Sequence, residues 1–370
     1  MQADWYSVAG IDHIDSPGVV LYTDRMEHNL EEMIRMVGGD VRRLRPHLKT
    51  NKMPGVVKRM IGKGLSNFKT STIAEAEMAA ASGAGSVLIA HQLTGPKIAR
   101  FSALSSRFPE TSFYTIIDNE HTLRLWEQEA VRNRSNIAVY IDVNNGMNRS
   151  GIEPGPELEL LARKVLQSGV LELKGLHVYD GHHRDADYER RKKKLEAGFS
   201  PLEATIHTLK KDCPQLEIIS GGTPAFTTHA LHKDRVCSPG TCVFWDWGYG
   251  EKLPEQKFKH AVLLVTRVIS KPAKGLVTID LGHKAVASEN PVDQRIKFLN
   301  LDRYELLSQS EEHGVLRVDD PERLQIGDVL YGVPYHICPT INLYDEITVT
   351  EEGEKTEVWE ITARKRRITV

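Results

Sequence analysis

Between residues 41 and 238 the chain repeats one unit, a short apolar run followed by a helical stripe, and this rhythm restricts the fold more than any other feature. Strand-like runs fall at 41–48, 65–70, 86–90, 112–117, 137–143, 173–179, 216–219 and 235–238. Helix-like segments separate them at 73–82, 96–108, 120–131, 157–167 and, long and charged, at 186–211. The clearest helix opens on a Thr72-Ile73-Ala74-Glu75 capping box and stops at Gly83. Eight strands alternating with helices over about 230 residues predict an α/β chain with a (β/α)8 TIM-type barrel. A doubly wound open sheet is the competing architecture, but no G-x-G-x-x-G follows the first strand, which counts against its dinucleotide-binding form.

A strand at 19–22 precedes the rhythm, followed by a helix with Met26, Leu30, Ile34 and Val37 on one stripe and a stop at Gly38-Gly39. After Trp247-Gly248-Tyr249-Gly250 the texture changes to short β-branched runs at 261–269, 275–281, 294–299, 314–318, 328–333 and 346–350. The expected organisation is a barrel over 20–250 and a mostly-β second domain over 251–370, joined by residues 1–19. A chain of 370 residues is long enough for both.

A net charge of -2 gives no reason to expect nucleic acid or a membrane surface as partner. The basic runs 190–194 and 364–367 read as solvated faces. The four cysteines, Cys213, Cys237, Cys242 and Cys338, form no C-x-x-C pair or regular framework, and no stretch has the apolar length of a membrane span. A reducing, cytoplasmic setting is therefore expected.

In a barrel the chemistry sits just after the strands. The first strand delivers Lys49, the fifth Asp142 to Arg149, the sixth His177, Tyr179 and Asp180-Gly181-His182-His183, and the seventh Ser220-Gly221-Gly222-Thr223. Paired glycines let successive N–H groups share one concavity, and a helix start near Ala225 would add positive dipole. That is the pattern of a phosphate nest, with a plain glycine turn as the bland alternative. His336 and Cys338 stand two apart, so on an extended segment they point the same way and could hold one metal. Nitrogen with soft sulfur favours zinc. A buried cysteine beside a hydrogen-bonded histidine is the alternative there. His182 or His183 could serve as a general base or stand as a solvated loop pair, and Glu75 and Glu77 read as capping and surface residues.

Arg45-Pro46-His47-Leu48-Lys49-Thr50-Asn51-Lys52 resembles the R-P-H-x-K-T-x-K segment of the D-threonine aldolase and D-serine dehydratase family, fold-type III pyridoxal phosphate enzymes related to alanine racemase. Ala74-Glu75-Ala76-Glu77, Tyr179-Asp180-Gly181-His182, Ser220-Gly221-Gly222-Thr223-Pro224, Pro239-Gly240-Thr241 and His336-Ile337-Cys338-Pro339-Thr340 extend the likeness over essentially the whole chain. The resemblance implies that Lys49 is the Schiff-base lysine for pyridoxal 5'-phosphate. It implies that Ser220, Gly221, Gly222 and Thr223 hold the phosphate and that Arg149 or Tyr179 faces the pyridine nitrogen. It also implies that His336 and Cys338 bind a divalent metal, zinc before manganese or magnesium. The implied substrate is a D-configured β-hydroxy-α-amino acid, and the implied assembly a homodimer. Removal of the hydroxyl proton by His182 or His183 would give retro-aldol cleavage to glycine and an aldehyde, the expected activity. Removal of the α-proton by Lys49 would give zinc-assisted dehydration instead. An amino-acid racemase is a third and weaker reading.

Overall fold

The computed structural model describes residues 4–370. These form two compact units, one joining residues up to Glu32 with Thr241–Lys365, the other joining Met33–Gly240 with Arg366–Val370. The division falls inside the helix Thr23–Met36 and after Gly240, so the β-rich unit takes in segments that the rhythm of the chain assigned to the barrel. Residues 1–3, part of the segment expected to join the β domain, lie outside the described residues.

Strand β1 (Gly18–Tyr22) belongs to the β-rich unit. The next seven strands, β2 (Asn67–Thr70), β3 (Ser86–Ile89), β4 (Ser112–Ile117), β5 (Ile137–Val143), β6 (Leu171–Val178), β7 (Glu217–Ser220) and β8 (Arg235–Cys237), form a curled parallel sheet in chain order. Helices connect them, as parallel neighbours require. The apolar faces of these strands meet in a cluster of Leu88, Ile116, Tyr140 and Ile219.

The expected first strand over 41–48 is not a regular strand. A 3-10 turn at Val41–Arg43 is followed by an extended segment that touches β8 through Leu44 and Cys237 and touches β2 through His47 and Lys69. Pro46 has no N–H, so a continuous ladder cannot form there. Single bonds replace it: Arg45 N–H to Cys237 O (2.9 Å), His47 N–H to Pro239 O (2.8 Å), Leu48 N–H to Lys69 O (2.8 Å) and Lys69 N–H to Pro46 O (2.9 Å). The two edges of the seven-stranded sheet thus meet across the segment that carries Lys49.

The basic run at 190–194 is not all solvated. In the helix Tyr188–Asp212, Arg191 is fully buried, donating to Asp185 O and lying against the Tyr188 ring.

The β-rich unit adds β9 (Val262–Ala273), β10 (Leu276–Ile279), β11 (Ile296–Phe298), β12 (Tyr304–Gln309), β13 (Gly314–Val318), β14 (Val329–Pro334), β15 (Glu346–Glu351) and β16 (Glu354–Glu360). β1 pairs antiparallel with β9 and parallel with β15, and its Val20 and Tyr22 enter a core with Leu263, Val265 and Val333. The strand at 18–22 is thus an integral part of the β-rich unit. Among the described residues no helix is long and apolar enough to cross a membrane.

Candidate active site

A cavity of about 310 Å³ opens where the parallel strands end, walled by His47, Lys49, Lys69, Ser71, His91, Gln92, Asp142, Arg149, Ser150, His177 and Tyr179. Three cations surround the Tyr179 ring: Arg149 Cζ lies 4.6 Å from its centroid, Lys69 Nζ 5.7 Å and Lys49 Nζ 5.8 Å. Each is within cation–π range.

The backbone around Lys49 is tied to the turn after β2. Lys49 N–H lies 3.3 Å from His47 Nδ1, and His47 Nε2 lies 3.1 Å from Ser71 Oγ. An acceptor Nδ1 assigns the ring proton to Nε2. Burial first, then the charges of Lys49 and Lys69, keep the His47 imidazole well below its usual basicity, hence neutral. Lys52 takes a left-handed backbone (φ 56°) and sends Nζ to Glu75 Oε1 at 2.6 Å, while Glu75 Oε2 accepts Ser71 N–H at 2.7 Å. Thr72 Oγ1 does cap its helix by accepting Glu75 N–H. The Glu75 carboxylate, however, is buried and ion-paired rather than a surface group, because the turn after the Lys49 segment folds over it.

Lys69 is fully buried, its Nζ 3.4 Å from His177 Nε2, and His177 Nδ1 stands 2.7 Å from Asp142 Oδ1. Asp142 Oδ2 also accepts from Gln92 Nε2 and Ser150 Oγ, each at 2.8 Å. Burial opposes ionisation of Asp142, but these donors outweigh it and hold the carboxyl below its usual range. Burial and Lys69 lower His177, so its Nδ1–H donates to Asp142 and its Nε2 lone pair faces Lys69. Burial and the neighbouring Lys49 bring Lys69 down to about 7. Sequence reasoning misses Lys69; its one signal is a lysine inside the short strand-like run that follows the Lys49 segment.

After β7, Gly221 adopts φ +72°, and a Cβ there would meet His229 Cδ2 at 2.7 Å. Its N–H is used by Val178 O, so it is not part of an open nest as expected, because the turn is still paired with β6. The Ser220 Oγ is buried without a hydrogen-bond partner among the described residues, which leaves a hydroxyl for an anion to satisfy. A 3-10 turn at Thr223–Ala225 runs straight into the helix Phe226–Ala230, close to the expected helix start. Cβ atoms at Gly181 and Gly222 would collide with Tyr179, so both glycines admit that ring against the turn. Behind it His229 is buried between Asp180 (Nε2 to Oδ2, 2.5 Å) and Arg235 (Nδ1 to Nη1, 3.0 Å).

His182 and His183 pack on each other, ring centroids 3.8 Å apart, and neither lines the cavity. Burial lowers both imidazoles.

His336 and Cys338 lie in the β-rich unit. The segment is not extended throughout: His336 caps the helix Ile337–Ile341, and Cys338 sits in its first turn, where Pro339 needs no N–H partner. The two side chains are nevertheless hydrogen-bonded. Burial opposes charge on His336, but Cys338 and Glu289 outweigh it and push the imidazole up to about 9, while Cys338 is drawn towards thiolate. Glu289 Oε1 fixes His336 Nδ1 at 2.6 Å. Cys338 sulfur beside an imidazole anchored on a carboxylate is a fitting donor pair for a soft divalent ion, which would take the place of the protons the two side chains share. No group of three His, Cys, Asp or Glu side chains is arranged for a metal among the described residues, so further ligands would be water or substrate.

The family model described as Alanine racemase, N-terminal domain matches residues 21–246, more than half of the chain. The chain belongs to the alanine racemase N-terminal domain family. That family is pyridoxal phosphate-dependent, of fold type III. Residues 261–350 of this family member match a second model, described as "Putative serine dehydratase domain". The chain is 27% identical to a D-threonine aldolase of Arthrobacter sp. over 95% of its own length and 93% of that protein. It is 26% identical to a 3-hydroxy-D-aspartate aldolase of Paracoccus denitrificans over 97% and 95%. The crystal structure of D-threonine aldolase from Filomicrobium marinum superposes with a TM-score of 0.88 at 27% identity, covering 97% of this chain and 98% of that one.

Proposed function

We propose that the chain is a pyridoxal phosphate- and metal-dependent lyase acting on a D-configured β-hydroxy-α-amino acid, cleaving it to glycine and an aldehyde as a D-threonine aldolase does. The observation that carries this reading is one cavity holding Lys49, Arg149 and Tyr179, with Tyr179 lying against the turn that bears the unpartnered Ser220 hydroxyl. The barrel assigned to 20–250 would carry the cofactor, and the β domain over 251–370, with 1–19, the metal pair.

When bound, the cofactor supplies an electron sink for charge developing at Cα. Lys49 would hold it covalently, kept in place by the His47 and Ser71 contacts behind its backbone. Ser220, Gly221, Gly222 and Thr223 would bind the phosphate, Gly221 through its conformation rather than its N–H. Arg149, against the Tyr179 face, would meet the pyridine nitrogen as a donor that never gives up its proton. A divalent ion on His336 and Cys338, zinc favoured by the thiolate, would supply Lewis acidity for a β-hydroxyl. His182 and His183, packed on each other outside the cavity walls, remain candidates for the base. A cytoplasmic homodimer completes the reading, supported by cysteines that form no disulfide among the described residues and by the family resemblance.

The second reading is a D-serine dehydratase-like elimination to a 2-oxo acid and ammonia, favoured by Cys338 and by the dehydratase match over 261–350. Incubation with D-threonine, D-serine and 3-hydroxy-D-aspartate separates the two. Glycine with an aldehyde supports the aldolase; ammonia with a 2-oxo acid replaces it with the dehydratase. Neither product from any of them removes both.

A further inference from the structure

The cavity contains an amine for which the proposed function has no use. Lys69 lies one strand over from Lys49, its backbone N–H and C=O both bonded to the Lys49 segment, so the two amines share one wall. Its side chain crosses towards β6 rather than to solvent. Among the described residues it makes no ion pair with a carboxylate, and its hydrogen-bond partner is His177 Nε2. That nitrogen is an acceptor because Asp142 holds the ring proton on Nδ1. Nothing therefore locks Lys69 in its charged form, and the positive groups Lys49 and Arg149 press against it while Asp142 and Asp180 offset them from a distance. His47 also feels Lys69, and Tyr179 presents its ring. The histidines expected to act as base lie outside the cavity walls, whereas Lys69 is one of them.

We propose that Lys69 is the proton carrier of this cavity, taking the hydroxyl proton of the bound substrate and delivering it to Cα, with His177 and Asp142 as its positioning pair. The inference rests on the aldolase reading. The step balances without a co-reactant: the O–H bond breaks and an N–H bond forms on Nζ, and the oxygen pair becomes the aldehyde C=O. The Cα–Cβ bond breaks with its electrons left at Cα, and that carbon then takes the proton from Nζ. Arginine cannot do this, because it does not deprotonate in the working range.

The test uses the full chain with its lysines labelled with carbon-13 at Cε, before and after addition of pyridoxal phosphate, the Lys69 signal being identified by its loss in Lys69→Arg. A titration midpoint near 7 that moves by at least one pH unit in His177→Gln is expected. A midpoint above 9, or one indifferent to His177, overturns the proposal. Steady-state kinetics with D-threonine then separate proton transfer from simple charge. Lys69→Met and Lys69→Arg should both lower kcat at least 100-fold with KM within threefold of wild type. If Lys69→Arg keeps kcat and only Lys69→Met raises KM, Lys69 is a static anchor for the substrate and the proposal fails. A wild-type chain inactive on every D-β-hydroxy amino acid defeats the functional reading and with it the substrate step, whereas a wrong titration in an active chain defeats the role of Lys69 alone.

Discussion

Lys52 Nζ stands 2.6 Å from Glu75 Oε1, both side chains at least nine-tenths buried. The pair joins the turn after Lys49 to the helix after β2, and Ser71 N–H on the second carboxylate oxygen closes the link. Removing one partner leaves a buried charge alone. Glu75→Ala should therefore cost about 3–5 kcal/mol in denaturant unfolding. A loss below 1 kcal/mol would show that the pair is solvated in solution.

Lys49→Ala should abolish the visible absorbance that the wild type gains with pyridoxal phosphate, and with it all lyase activity. Full activity towards every D-amino acid tested would eliminate Lys49 as the cofactor lysine.

At Gly221 the positive φ and the 2.7 Å approach to His229 leave no room for a side chain. Gly221→Ala should weaken affinity for pyridoxal phosphate more than affinity for pyridoxal, by roughly tenfold or more, since a left-handed alanine alone costs about 1–2 kcal/mol. Equal losses for both ligands would place the damage away from the phosphate.

Chelation should remove activity, and zinc should restore it more fully than magnesium. His336→Ala and Cys338→Ala should each lower bound zinc, measured by atomic absorption, with affinity falling on the order of 100-fold. Unchanged metal content in both variants would dismiss the pair as ligands.

Lys69 makes stability depend on pH in a definite direction. Its folded value of about 7 lies below the ordinary 10.5, so between these pH values the unfolded chain binds more protons and stability rises with pH. Below pH 7 both states hold the proton and the burial penalty is fully present. In the cofactor-free chain Lys69→Met should raise stability at pH 6 by on the order of 1–4 kcal/mol, an advantage that fades by pH 10. A Tm difference identical at pH 6 and pH 10 would contradict the buried, weakly basic amine.

Features set by neighbours in the chain are legible in the sequence itself. The alternating rhythm needs only local periodicity, and it places the strands within a few residues. The glycines around Ser220 announce a turn that side chains would obstruct, and Lys49 and the pair His336 and Cys338 stand in short motifs. Tertiary structure decided what depends on burial and on distant strands. Glu75 reads as a surface cap because nothing nearby in the chain reveals that Lys52 folds over it. Lys69 reads as one lysine among many because His177, more than a hundred residues away, meets it only when the sheet curls. The expected first strand fails for a local reason, the missing N–H of Pro46, yet only the curled sheet shows its two edges meeting there. Side-chain chemistry is written in the residue types, but the desolvation and charge that tune it are summed over the whole fold.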